Sequence, residues 1–360
     1  MRSLTIVRAD GKPGSVYYDL SLDVTPNFPQ PTRSQVLVKI AAAALNHRDH
    51  FIRQHLYPGV AFGVTLGSDC VGQVISIGPD VPVKSLIGRR VLVYPAIGWI
   101  SNITAPEDPA SFAILGGTKS YPTGTFADYI LLESPSLVHD CPPHLTDPQA
   151  AALPLAGLTA YRALFTQGQV TSESTVVVTG AGGGVALYAI QFAKAIGARV
   201  YVTTGNQEKL DYAINHLKAD GGVLYTAKDW GKQLFSQLQS NGVAGVDAVI
   251  DGSGGKSMVQ LMSAMKAGCR FVSYGMTTEP RLEMGMAAVL KHIVVAGSTM
   301  GSMREFDDMI SLVGDRHIVP VVAKTVRGLE NAETAFKAFL SSDRIGKVVI
   351  EVQQPERANI

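Results

Sequence analysis

Two hydrophobic rhythms divide the chain. Up to about Asp140 the apolar positions come in short β-rich runs, among them residues 36–45 (VLVKIAAAAL), 71–78 (VGQVISIG) and 89–100 (RRVLVYPAIGWI), separated by Gly and Pro turns. Short apolar runs bounded by turn residues predict an all-β unit with few helices. After Pro154 uninterrupted apolar runs alternate with apolar positions at helical spacing: 174–180, 183–198, 199–205, 207–217, 246–254, 256–265 and 269–275. This alternation predicts repeated β-α units, and hence an α/β domain with a doubly wound parallel sheet. The closing stretch, residues 321–352, reads as strand, helix and strand. Its pattern fits either an extension of the parallel sheet or a return to the β-rich unit.

Composition narrows the class. With 46% hydrophobic and only 17% charged side chains over 360 residues, the chain can bury enough apolar surface to fold, and its length suits two domains. Its 31 basic and 30 acidic residues leave a formal charge of +1 and no long-range field to gather phosphodiester backbones or anionic lipid. Neither nucleic acid nor a membrane surface is therefore expected as a partner. Cys70, Cys141 and Cys269 are too few and too scattered for a disulfide framework or a metal knuckle, which suits a reducing compartment. Arg8, Asp10 and Gly11 interrupt any signal-peptide core, and the terminal Arg357-Ala358-Asn359-Ile360 matches no retention address. The expectation is a cytoplasmic protein. The uncharged stretch 174–193 reaches spanning length, but its glycines at 180 and 182–184 suit a strand, turn and helix better.

Those glycines form the sharpest motif. A buried β-run, Thr175 to Thr179, leads into Gly180-Ala181-Gly182-Gly183-Gly184, and Val185, Tyr188, Ala189, Phe192 and Ile196 then recur at helical spacing. Small residues let the backbone turn tightly and approach a pyrophosphate, whose charge then sits at a helix N-terminus. The best register is Ala181-x-Gly183-x-x-Ala186, with a second strand beginning at Arg199. A dinucleotide site is the reading, against a packing turn with no ligand.

Which dinucleotide depends on the end of that second strand. An acid there would bond the ribose hydroxyls of NAD and repel a 2′-phosphate by roughly 4 kcal/mol per unit-charge pair at 4 Å and an effective dielectric of 20. The chain offers Thr203, Thr204, Gly205 and Asn206 instead, with Lys209 placed to face a phosphate and Tyr225 on the next strand. NADPH is the expected cofactor.

In this combination and order the residues resemble the medium-chain dehydrogenase/reductase superfamily, and within it the zinc-free branch of quinone oxidoreductases. The similarity runs through residues 41–59 (AAAALNHRDHFIRQHLYPG), 66–78 (LGSDCVGQVISIG), 124–133 (GTFADYILLE), 153–164 (LPLAGLTAYRAL), the glycine turn, 273–275 (SYG), 296–299 (AGST) and 345–352 (IGKVVIEV). It implies a GroES-like β domain formed by residues 1–150 and 318–360 around an inserted Rossmann domain, 151–317, with the cofactor between them. It also implies a homodimer formed by pairing Rossmann sheets. Cofactor contacts carry over to Gly252, Tyr274 and Gly275, and to Gly297, Ser298, Thr299 and Lys347 at the nicotinamide end. The alternatives for the last four are ordinary turn chemistry and a strand-end surface lysine.

The metal question is argued by position. Zinc-dependent relatives place Cys, His and Cys or Asp at three points around a Lewis acid. Here those slots hold Asn46, Ser68 and the neighbourhood of Leu155-Ala156, and residues 71–140 contain no Cys for a structural zinc lobe. His47, His50 and His55 lack the i, i+4 pairing of a helical metal site. No metal is expected.

Without zinc, acceptors that already delocalise incoming charge are the easier substrates: quinones and α,β-unsaturated carbonyls before plain ketones. The protein must then orient the reactants and place hydrogen-bond donors where negative oxygen develops. Asn46 is the first candidate for that catalytic donor. Asp49 and Tyr57 follow, against the alternatives that Asp49 anchors a loop through Arg48 or Arg53 and that Tyr57 is a packing aromatic. Residues 94–122, with Tyr94, Trp99, Ile100, Phe112 and Tyr121, form a long irregular segment suited to capping a pocket or filling space. The expected activity is NADPH-dependent reduction of a quinone or conjugated carbonyl. Aldehyde or alcohol oxidoreduction and enoyl reduction are the enzymatic alternatives, and a catalytically idle NADPH-binding protein is the one from another class.

Overall fold

The uninterrupted apolar run at residues 36–44 becomes the central strand of the β-rich unit because both its faces are covered. In the computed structural model, which describes residues 1–26 and 29–352, only Lys39 of this strand is exposed. The terminal Arg357–Ile360 lies outside the described residues. Strand β1 (Val36–Ala44) is followed by helix α1 (His47–Arg53), then β2 (Asp69–Ile77), β3 (Arg90–Val93), β4 (Tyr129–Leu132) and β5 (Val138–Asp140). The chain then builds a second sheet from β6 (Thr175–Val178), β7 (Arg199–Thr204), β8 (Gly221–Leu224), β9 (Val246–Asp251), β10 (Met265–Ser273) and β11 (Val294–Gly297). Helices α2 (Gly184–Ala195), α3 (Gln207–Asn215) and α4 (Trp230–Ser240) connect its first four strands. Helix α5 (Met303–Asp315), strand β12 (Val322–Arg327), helix α6 (Ala332–Phe339) and strand β13 (Lys347–Glu351) close the described chain.

The chain divides into two units, Met1–Leu155 with Ser302–Ile360, and Ala156–Gly301. In the first, the sheet order among the described residues is β12-β13-β1-β2-β3-β5, with β4 also paired to β1. This is the GroES-like domain, and the closing strands belong to it. Register is what builds its polar site. Ala44 lies opposite Asp69 on β2 and opposite Val349 on β13. The end of β1 thus meets the starts of β2 and β13, which brings Asn46, Asp69 and Lys347 together.

The return to this unit falls at Ser302, where the sequence reading puts it at 318. The reason is the apolar face of α5. Phe306, Met309 and Val313 are buried, and the Phe306 ring packs edge-on against Tyr94 and His139. The N–H groups of Met303 and Arg304 donate to the carbonyls of Trp99 and Ile100. The irregular segment 94–122 therefore anchors α5, and its aromatics fill space, Trp99 lying edge-on to Phe112. Glu107 holds the segment's tip by accepting N–H bonds from Ile100, Ser101 and Asn102, which pull its carboxyl down to about 2.

In the second unit all neighbours pair in parallel, in the order β8-β7-β6-β9-β10-β11. The order reverses between β6 and β9, which is the Rossmann arrangement and opens a ligand crevice at the strands' carboxyl ends. Val176, Val177 and Val178 are fully buried, as covering helices on both faces require. Among the described residues no helix is long and apolar enough to cross a membrane.

Candidate functional site

The GroES-like unit carries a cluster of buried charges. Asn46 ends β1 and caps α1, whose first turn is closed by the Asp49 carboxylate accepting the Asn46 N–H at 2.8 Å. The Asn46 side chain also reaches two groups on other strands. Its Oδ1 accepts from Lys347 Nζ at 2.5 Å, and its Nδ2 donates to Asp69 Oδ2 at 2.9 Å. Lys347 Nζ also donates to Asp69 Oδ2 at 3.0 Å, while Asp69 Oδ1 accepts the Leu155 N–H at 2.8 Å. Lys347 is 3% exposed and Asp69 wholly buried, so the alternative of a surface lysine is corrected. Burial lowers the Lys347 pKa, and the Asp69 carboxylate opposes that shift.

A second buried cation lies beside it. Arg48 Nη1 donates to Ser68 Oγ at 2.6 Å and to the Leu115 carbonyl at 2.8 Å, and Nη2 donates to the Gly116 carbonyl at 2.7 Å. Its guanidinium sits 4.9 Å from the Tyr57 ring centroid and 3.7 Å from Asp49 Oδ1. Burial pushes the Asp49 carboxyl up to about 6, partly offset by Arg48. Arg53 takes no part in holding Asp49; it pairs with Glu333. His50 and His55 face the hydroxyls of Tyr17 and Tyr18, and His47 packs on Phe339.

Zinc does not fit this donor set. The three slots hold an amide, a hydroxyl and the neighbourhood of Leu155-Ala156, none a usual zinc ligand, and the first two are already bonded to the side chains of Lys347 and Arg48.

The Rossmann unit offers a site made of backbone. Gly180 has φ +69°, and a Cβ built on it meets nothing within 4 Å; at Gly183 the nearest atom is 3.8 Å away. Open space therefore lies over Gly180 and Gly183. Helix α2 starts at Gly184 with Gly183 as an extended N-cap that bonds no side chain, so the first-turn N–H groups, Val185 among them, face a ligand of negative charge favourably. A pyrophosphate fits here.

Lys209 crosses the turn: a Cβ on Gly182, whose φ is +148°, would lie 2.9 Å from Lys209 Cδ. Tyr225 covers the residue after β7, its hydroxyl 2.6 Å from a Cβ built on Gly205. No acid stands at the end of β7, where Thr204 Oγ1 donates to the Ala181 carbonyl at 3.1 Å and Asn206 caps α3 through the Lys209 N–H. Thr204 and Asn206 thus shape the turn and the helix start. A cavity of about 250 Å³, lined by Thr179, Thr203, Tyr225, Trp230, Ser253 and Gln260, opens at the carboxyl ends of the strands.

The other expected cofactor residues occupy the ends of β9, β10 and β11. The Tyr274 hydroxyl lies 2.5 Å from a Cβ built on Gly252, so its ring covers that glycine; burial raises its pKa. Gly275 faces the Gly252 carbonyl, and Gly297 has open space above it. Ser298 Oγ is buried without a hydrogen-bond partner, next to an exposed Thr299.

Sequence reasoning missed Asp69 and Asp251. Asp251 ties the ends of β6 and β9, accepting from Thr179 Oγ1 at 2.8 Å and the Gly254 N–H at 2.9 Å.

Comparison with known proteins agrees with this architecture. Residues 32–143 match the alcohol dehydrogenase GroES-like domain family, and residues 184–315 match the zinc-binding dehydrogenase family. The chain is 38% identical to the zinc-type alcohol dehydrogenase-like protein YogA of Leptosphaeria maculans, covering 97% of this chain and 99% of that one. It is 28% identical to the acryloyl-coenzyme A reductase of Sulfurisphaera tokodaii over 90% of this chain and 94% of the other. A solved NAD-dependent alcohol dehydrogenase superposes with a TM-score of 0.83 at 30% identity, covering 98% of this chain and all of the other. Together with the reversed parallel sheet and the GroES-like unit built from both ends, these matches make the chain an oxidoreductase that belongs to the medium-chain dehydrogenase/reductase superfamily.

Proposed function

We propose that the protein is an NADPH-dependent oxidoreductase that transfers hydride, without a metal, to a quinone or an α,β-unsaturated carbonyl. The observation that carries this reading is the state of the metal slots: Asn46 and Ser68 are each bonded to a buried cation. An enzyme lacking a Lewis acid favours acceptors whose own π system takes up the charge. The second N–H of Asn46 Nδ2 is the donor offered to the developing oxyanion, and Tyr57, one face of which Arg48 covers, is the aromatic assigned to a planar acceptor. The enolate or hydroquinone takes its proton from water.

NADPH is favoured by Lys209 beside the glycine turn, by Tyr225 beside Gly205 and by the lack of an acid at the end of β7. The bound dinucleotide supplies the hydride. The backbone of Gly180 to Val185 holds the pyrophosphate, and Ser298 Oγ, buried and unbonded, awaits a polar group at the nicotinamide end. Reduction of an enoyl thioester is the second reading, favoured by the similarity to an acryloyl-coenzyme A reductase.

A homodimer belongs to the same proposal. Strand β11 is an edge strand, and Val294, Val295, Met286 and Leu290 expose apolar surface there, Leu290 at 74%. An unprotected apolar edge is a template for pairing with another sheet. Met286→Glu with Leu290→Glu is expected to give monomers in light scattering. Three unpaired cysteines suit a cytoplasmic setting.

The test is consumption of NADPH and NADH by metal-stripped protein with an aromatic ortho-quinone, a linear enone, an enoyl thioester and an aromatic aldehyde. NADPH-dependent turnover that metal removal leaves unchanged is expected, with quinone or enone fastest. Activity restored only by added zinc would overturn the metal-free reading.

A further inference from the structure

An asparagine side chain has two nearly isosteric orientations, one presenting N–H where the other presents C=O. For a group that faces a developing oxyanion the difference decides its effect, since N–H attracts the charge and C=O repels it. At Asn46 the orientation is fixed by its neighbours. An ammonium can only donate and a carboxylate can only accept, so Lys347 Nζ at 2.5 Å requires Oδ1 on its side and Asp69 Oδ2 at 2.9 Å requires Nδ2 on the other. The Lys347–Asp69 contact at 3.0 Å closes the ring, and the Leu155 N–H holds the second Asp69 oxygen. Every member is buried, so water offers no competing partner.

We propose that Lys347 and Asp69 are positioning residues that lock the Asn46 carboxamide with a donor, never an acceptor, toward the substrate oxygen. This gives Lys347 a positioning role and adds Asp69 to the site. It rests on the reading above only for what the lock serves; the lock itself is a property of the folded chain.

Two readouts test it. In protein labelled with ¹⁵N-asparagine, the Asn46 side-chain signals are those lost in Asn46→Ala. Their exchange with solvent is expected to be slow in the wild type, to quicken by at least about tenfold in Lys347→Met, and to remain slow in Lys347→Arg. The neutral pair Lys347→Met with Asp69→Asn, which leaves no buried charge without its counter-charge, carries the same measurement if Lys347→Met does not fold. Turnover in Lys347→Met is expected to fall by about thirtyfold with the NADPH Kd within about threefold, and that fall is expected to shrink below about threefold in an Asn46→Ala background.

An unchanged amide signal in Lys347→Met, equal losses in both backgrounds, or an NADPH Kd that rises in step with the loss of turnover would each overturn the proposal. The amide measurement needs no acceptor. A wild-type protein that reduces none of the acceptors would therefore sink the proposed activity while the lock stands or falls on its own signal.

Discussion

The cluster around Asn46 and the turn at residues 180–184 are built in opposite ways. In the first, buried side chains commit their donors to one another: Lys347 to Asn46 and Asp69, Arg48 to Ser68 and two carbonyls. In the second, four of the five residues are glycines and no side chain caps the helix start, which leaves its backbone donors for a ligand. The contrast separates two demands. A charged phosphate is gripped best by N–H groups whose geometry the fold already fixes, whereas a reaction needs one donor pointed correctly, which takes a shell of neighbours. A change at the turn should therefore act on binding, and a change in the cluster on turnover or on stability.

The largest effect is expected at the turn. Gly182→Val forces a branched side chain into a positive φ and against Lys209, and should raise the NADPH Kd by roughly a thousandfold while circular dichroism stays native. Normal binding by titration of cofactor fluorescence would mean that the turn is not the pyrophosphate cradle.

Next comes the cost of keeping Asp49 buried. Its pKa is raised from 3.8 to about 6 in the folded state, so the folded protein holds this proton more tightly than the unfolded chain. The associated stability is fully present below about pH 4 and is lost as pH rises through about 6, up to about 3 kcal/mol. Asp49→Asn keeps an acceptor for the Asn46 N–H and should flatten the pH dependence of the urea midpoint across that window. A slope identical to wild type would show that another group sets it.

Asn46→Ala should lower kcat by about a hundredfold, the effect of removing one oxyanion donor, with the NADPH Kd within about threefold. Equal losses in kcat and in cofactor affinity would blur the division between cluster and turn. The smallest effect is expected for Lys209→Ala, which should weaken NADPH by about tenfold and NADH by less than about twofold, as one charge-assisted contact predicts. Competition binding of the two cofactors reads it directly, and parallel losses would take Lys209 away from the 2′-phosphate.

Much of the second unit was legible along the chain because its parts are local. Val176, Val177 and Val178 announce a strand buried on both faces, the glycines follow within a few residues, and the absent acid at residues 204–206 is read from the same short stretch. The surroundings of Asn46 were not legible in this way. Lys347 lies 301 residues from Asn46 and 278 from Asp69, and no periodicity links positions so far apart. Arg48 likewise finds the Leu115 and Gly116 carbonyls on a segment whose sequence suggests only a loop.

The sequence by itself determined the two rhythms and the glycine turn, because each depends on residues that are neighbours in the chain. The tertiary structure alone decided that α5 belongs with the β-rich unit, that Lys347 is buried, and that Asp69 joins three separate segments. Those outcomes follow from strand register and from which apolar face finds cover. Both are settled only when distant segments pack, since burying a charge or a ring requires a partner that the local sequence does not contain.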